Sequence, residues 1–265
     1  MATVREIYQY LDTRAPFSIQ MDFDNAGFLV GRGDRSVNRI LVALDITEEV
    51  AAEAAEAGAE LIVSHHPVIF HPVKSLTDGD PTGRLLLTLA ERGIAAICAH
   101  TNLDAVAGGV NDALAARLGL EDIEQLQPAG VDSAGRPYGI GRVGMTTGTL
   151  VYAPAFAAKV REALGANGVR YVDARRPVRR VAVGGGACGD MLSDALALGC
   201  DTFVTSDVKY NGFLDAKALG INLIDAGHYP TENVVCPVLC KWLEAGFPKV
   251  EILLSQRHKE VFSYA

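Results

Sequence analysis

One half of this 265-residue chain repeats the other in the order of its elements, and that repeat limits the possible folds more than any single motif does. AEAGAELIVSHH, from Ala55 to His66, lies over ALGCDTFVTSD, from Ala197 to Asp207: helix end, glycine, acidic residue, apolar run and polar cluster in the same order. RGIAAICAHTNLD, from Arg92 to Asp104, lies over LGINLIDAGHYPTE, from Leu219 to Glu232. Short apolar runs rich in β-branched residues, alternating with helical stretches, read as buried strands of a parallel-rich sheet. The expected fold class is α/β: two similar α/β halves with strand-end ligands converging on a central cleft. Residues 1–126 are expected to form the first half and residues 127–265 a linker and the second half.

Local signals place the elements. Thr3 with Glu6 makes a capping-box pattern ahead of Val4, Ile7, Tyr8 and Leu11 at helical spacing. Asp24-Asn25-Ala26-Gly27 supplies turn chemistry before a short Phe28-Leu29-Val30 strand, so Asp24 and Asn25 read first as turn formers. A strand over Arg39–Asp45, a helix capped by Thr47 and closed by Gly58, and the strand before His65 compose a β-α-β unit. The stretch Gln127–Tyr138, rich in Pro, Gly and Asp, reads as a connection between halves. From Arg179 the second series runs through a strand to Val183, the turn Gly184–Asp190, a strand Thr202–Thr205, a helix Tyr210–Leu219 and a strand Ile221–Asp225. A helix to Ala245 and a strand Val250–Leu254 close it.

Composition narrows the functional class. A hydrophobic content of 49% with 21% charged residues is that of a globular protein. A formal charge of -8 repels phosphate backbones, which sets nucleic-acid binding low. The five cysteines show no CxxC pair and three fall in or beside apolar runs, the usage of reduced packing residues in a cytoplasmic protein. The first residues mix acidic and basic side chains into their apolar pattern, unlike a signal peptide, and no apolar run is long enough for a membrane span.

The chemistry gathers where apolar runs stop. AELIVSHHPVIF, Ala59 to Phe70, ends its apolar run on Ser64, His65 and His66, and ligand sites of open α/β sheets lie at such carboxyl ends. Adjacent histidines on an extended segment point to opposite sides, so Pro67 is expected to impose a bend and two neighbouring ions suit the pair better than one. The repeat adds His100-x-x-x-Asp104 in one half and His228-x-x-x-Glu232 in the other. Imidazoles with carboxylates suit zinc, manganese, iron or nickel, and the absence of cysteine from the set speaks against a structural zinc site. The Gly184–Asp190 turn could offer backbone N–H groups to a phosphate, although an ordinary strand-to-helix turn explains it better.

SHHPVIF, AHTNLDAVAGGVND, TSDVKYN and AGHYPTE together resemble the YbgI-like dinuclear metal centre family, whose members are often named GTP cyclohydrolase 1 type 2 homologues. The resemblance covers nearly the whole chain. It implies two similar α/β halves, a ring-shaped homohexamer, and two divalent metal ions per chain held by His65, His66, Asp104, His228 and Glu232. His100 is then an optional ligand or a residue that orients Asp104 or a bound water. Two positions depart from the family pattern: Asn211 stands where a histidine is common, and His71 where a lysine often stands, which makes His71 a rim residue or an added acid/base group. The chain is too short for the inserted domain of longer relatives, so residues 127–179 are expected to be a plain linker plus a small piece of the second half.

The leading functional expectation is a metal-dependent hydrolase of a small, nucleotide-like substrate such as GTP, with Asp207 or His100 as base helper. The alternatives are a metal or cofactor-precursor delivery protein without turnover, and a ring-shaped interaction scaffold.

Overall fold

In the computed structural model, which describes residues 2–265, the chain divides into two compact units, Met1–Leu103 with Cys236–Lys259 and Asp104–Val235 with Glu260–Ala265. This differs from a boundary at 126/127. The helix Cys236–Gly246 and the strand Glu251–Leu254 return to the first unit, where that strand pairs in parallel with Arg39–Ala43, Leu253 opposite Leu41. Residues before 127 meanwhile belong to the second unit: Leu114 and Ala115 of the helix Val110–Arg117 are buried with Phe156, Val181 and Val204.

The first unit holds a five-stranded sheet in the order Glu251–Leu254, Arg39–Ala43, Leu61–Ser64, Ala95–Cys98 and Gly27–Val30. The first four run parallel and the last antiparallel. Its helices are delimited by local chemistry. Thr47 Oγ1 accepts the Val50 N–H at the start of Glu48–Ala57, and Gly58 ends it at φ 69°, a left-handed conformation that costs a residue without Cβ least. Val50, Ala54, Leu85 and Leu89 from two helices bury against Leu41, Ile62 and Ala96 of the sheet.

The second unit repeats this plan in the same register. Ile40 faces Leu61 and Leu61 faces Ala95 in the first sheet; Val181 faces Thr202 and Thr202 faces Asn222 in the second. An antiparallel strand flanks each trio, Gly27–Val30 beside Ala95–Cys98 and Arg170–Val172 beside Asn222–Asp225. The repeated acidic residue has a structural task. Glu60 Oε2 accepts the Asn38 and Arg39 N–H groups, both at 3.0 Å, and Asp201 Oδ2 accepts those of Arg179 and Arg180 at 3.0 and 2.9 Å. Each carboxylate thus satisfies the amides that open the neighbouring strand. Asp201 is buried, so Asp201→Ala is expected to cost about 2–4 kcal/mol by stranding two amides. Urea denaturation reads this as a lower midpoint at unchanged slope, and an unshifted midpoint contradicts it.

The stretch Gln127–Tyr138 is not a linker, nor are residues 127–179 a small remnant. Leu120–Val131 and Pro137–Thr146 form a long antiparallel hairpin on the edge of the six-stranded sheet. Pro128 and Gly130 mark a register shift in it, and Asp132 Oδ1 accepts the Ala134 and Arg136 N–H groups of its turn at 2.9 and 2.8 Å. Ala153–Leu164 then packs Phe156 and Val160 into the core. No helix among the described residues is long and apolar enough to cross a membrane.

Candidate metal centre

In the first unit the chain bends as soon as the strand Leu61–Ser64 ends. The His65 and His66 N–H groups both donate to Leu44 O, at 3.1 and 2.9 Å, and Ser64 Oγ donates to His66 O at 2.9 Å. That bend takes the pair out of strand geometry, where neighbours face opposite ways, and sets the ring centroids 4.9 Å apart. His100, just past the strand Ala95–Cys98, brings a third ring to within 5.1 Å of His65 and 5.4 Å of His66. One ring nitrogen from each lies within 4.8 Å of the others, an arrangement suited to a metal ion.

Each of these rings is fixed through Nδ1. His65 Nδ1 lies 2.8 Å from Ala99 O, and because a carbonyl only accepts, Nδ1 carries the proton and Nε2 the lone pair. His66 Nδ1 donates to Asp45 Oδ1 at 2.7 Å and His100 Nδ1 to Asp24 Oδ1 at 2.8 Å, which selects the same tautomer. Burial alone would raise the Asp24 carboxyl; bonds from His100 and from the Thr101 hydroxyl and amide outweigh it and hold it down to about 2. Asp45 is half-buried, and although burial alone would raise it, bonds from His258 Nε2 at 2.8 Å and from His66 keep it well below the usual carboxylate range. An outer carboxylate on the far nitrogen of a metal-binding histidine is the arrangement that orients the ring and raises its basicity.

Asp24 is therefore more than a turn former: it holds His100, whose ring is oriented by this aspartate. Asp45 and His258 escape sequence reading altogether. The one signal for Asp45 is its place at the end of the strand run Arg39–Ala43, matching the other polar strand ends. His71 lies exposed beside Phe70, ring centroids 4.9 Å apart.

In the second unit, Asp207, His228 and Glu232 come together. His228 opens the short helix His228–Glu232 after the strand Asn222–Asp225, and its Nδ1 donates to Asp207 Oδ2 at 2.6 Å. Asp207 adopts φ 53°, a left-handed conformation that aspartate tolerates better than most residues. His228 Nε2 lies 3.0 Å from Glu232 Oε2. With the proton on Nδ1, the His228 Nε2 lone pair and the Glu232 carboxylate would both be available to hold one cation. The donor set fits a divalent metal. Asp104, on the helix Thr101–Ala105, has its carbonyl bonded by Asn111 Nδ2 at 3.0 Å. Burial pushes the Cys188 thiol up, and the charges of Asp104 and Glu232 add to that.

Asp225 holds the loops that carry Asp207 and His228. Its buried carboxylate accepts the Val208 N–H at 3.0 Å, the Gly227 N–H at 3.2 Å and the Arg170 guanidinium. The Gly184–Asp190 turn commits its first amides within the protein, away from a phosphate: Gly185 N–H donates to Asn111 Oδ1 at 2.9 Å, Gly186 to Thr231 Oγ1 at 3.1 Å and Cys188 to Thr205 Oγ1 at 3.1 Å. Its glycines instead make room for Glu232. Gly186 has φ 68°, and a Cβ there would run into the Glu232 carboxylate. Gly186→Ala is expected to displace Glu232 and weaken metal binding by about 10–100-fold, read by competition with a chelating dye. Unchanged affinity contradicts that packing role. Asn211 is exposed on the helix Tyr210–Leu219.

The sequence profile of Duf34/NIF3 (NGG1p interacting factor 3) matches residues 2–260. The chain belongs to this family. A Clostridium perfringens relative named "GTP cyclohydrolase 1 type 2 homolog" is 34% identical over 263 residues, which covers 98% of this chain and 99% of the relative. Among solved structures, a Staphylococcus aureus hypothetical protein superposes with a TM-score of 0.92 at 30% identity, covering 99% of each chain. A Bacillus cereus protein related to NIF3 gives the same TM-score at 26% identity, over 100% of this chain and 99% of that one. Duf34/NIF3 membership agrees with the motif resemblance and with the mixed α/β fold of two similar halves.

Proposed function

We propose that this Duf34/NIF3 chain binds two divalent metal ions through His65, His66, Asp104, His228 and Glu232 and hydrolyses a nucleotide-like substrate. The observation that carries the reading is the common treatment of four imidazoles: His65, His66, His100 and His228 each have Nδ1 fixed by a carbonyl or carboxylate oxygen, which leaves the lone pair on Nε2, the atom that can bind a metal or take a proton. Ordinary surface histidines have no reason to share that tautomer. Names of relatives such as the Clostridium perfringens protein support GTP as the first substrate to try.

The chemistry such a pair of ions supplies is Lewis acidity, which polarises a carbon or phosphorus centre and acidifies water. The residues do the rest. Asp24, Asp45 and Asp207 hold their histidines at fixed angles, so no ring reorients during reaction. His100 is the base helper: with Asp24 on Nδ1, its Nε2 takes a proton and the adjacent carboxylate stabilises the imidazolium that results. Asp207 contributes through His228. The test is turnover of GTP or a model phosphoester by metal-loaded protein, lost in Asp104→Ala. Metal transfer to an acceptor without any turnover would assign the chain to metal delivery instead. The proposed assembly is a ring of six chains in the cytoplasm, and light scattering that shows a monomer at micromolar concentration contradicts it.

A further inference from the structure

Two aromatic side chains stand exposed beside the histidine group of the first unit. Phe23 is 64% and Phe70 40% exposed, and their rings meet edge to face with centroids 6.5 Å apart. Phe70 also meets the His100 ring edge to face, at 6.1 Å. The two loops are tied to each other and to the site. Asn25 Nδ2 donates to Ile69 O at 2.6 Å, joining the residues beside Phe23 to those beside Phe70. Asp24, between Phe23 and Asn25, takes the bonds from His100 and Thr101. The residues that orient His100 therefore belong to the same tied pair of loops that carries both phenyl rings. Large apolar side chains grouped in the open mark a surface that something covers. Phe70 therefore stands beside the His65, His66 and His100 group, within reach of a ligand that extends outward from it.

We propose that Phe23 and Phe70 form a stacking platform for a planar heteroaromatic ring of the substrate, holding it while its reacting end lies at His65, His66 and His100. This rests on the hydrolytic reading of the site and assigns the side chains that take the substrate's ring. A phenyl side chain recognises the face of a base and tolerates changes at its edge, and stacking of one base typically changes affinity about tenfold or more. A sugar phosphate or an inorganic polyphosphate gains nothing from such a platform.

The experiment uses the metal-loaded full chain, titrated calorimetrically with GTP and with tripolyphosphate as the ringless control, with metal content and sedimentation measured on the same samples. Wild type is expected to bind GTP at least about tenfold more tightly than tripolyphosphate. Phe70→Ala loses that difference while keeping its metal, and Phe70→Trp retains it. Equal affinity of wild type for the two ligands overturns the proposal, as does equal GTP affinity in wild type and Phe70→Ala at equal metal content. A Phe70→Ala protein whose sedimentation changes while its GTP affinity does not assigns the rings to contact with a second copy and also overturns it. GTP preference without turnover supports the platform and removes the hydrolase reading; turnover without ring preference does the reverse.

Discussion

A metal-loaded sample is expected to hold its ions near pH 8 and to release them as the pH falls from about 7 to about 5, with both sheets still folded. Imidazole must be neutral to donate, and its ordinary value is ~6.5, so protons and metal compete for Nε2 across this window. The partner carboxylates do not take part. Asp24 is held down to about 2 and Asp45 well below the usual carboxylate range, so both remain charged and keep the Nδ1 protons in place while Nε2 is protonated. The sign for stability is separate. A carboxylate whose folded-state value is depressed stabilises the fold above its ordinary value near ~3.9, and that contribution disappears only as pH falls towards the folded value. Loss of metal at pH 5 to 7 and loss of the aspartate contribution below about pH 4 should therefore appear as two transitions. Metal content and thermal stability followed together from about pH 8 to 3 test this, and full metal retention through pH 5 contradicts it.

Asp225→Ala is expected to be the most damaging single substitution outside the donors themselves. It removes one buried carboxylate that accepts from Val208 N–H, Gly227 N–H and Arg170, and so releases the neighbours of Asp207 and His228 together. Two amides and a guanidinium lose their acceptor, at a cost of about 3–5 kcal/mol, and metal affinity falls because His228 loses its orientation. Asp225→Asn keeps acceptor capacity at Oδ1 and should recover a good part of both losses. Chelator competition and urea denaturation of the two variants separate these effects; an Asp225→Ala protein with unaltered metal affinity contradicts the positioning role.

Much of this architecture is legible in the sequence because its signals are local. Thr47, Gly58 and the Glu60/Asp201 correspondence bound helices and strands within a few residues, and the repeated apolar runs fall in the same register in both sheets. The proposed donors have a similarly local signal: His65 and His66 follow directly on the strand Leu61–Ser64, and Asp104, His228 and Glu232 lie in the short helices that come after the strands Ala95–Cys98 and Asn222–Asp225. What holds the donors is not: Asp24 reaches His100 across 76 positions and His258 reaches Asp45 across 213, and no spacing rule encodes such pairs. The hairpin after Leu120 is hidden for another reason. Its outer strand is largely exposed and charged, and Pro128, Gly130, Gly135 and Pro137 serve a bulge and a turn while looking like a linker. Likewise Val250–Leu254 reads as a strand, but four apolar residues cannot say which sheet they join.

The most direct test of the proposed two-ion centre is metal analysis of wild type, His65→Ala and Glu232→Ala, purified side by side and each confirmed as folded by circular dichroism. The predicted result is two ions per chain in wild type and a loss of bound metal in both variants, although one substitution lies in each unit. Two ions retained tightly by Glu232→Ala, or by His65→Ala, would contradict the proposed ligand set.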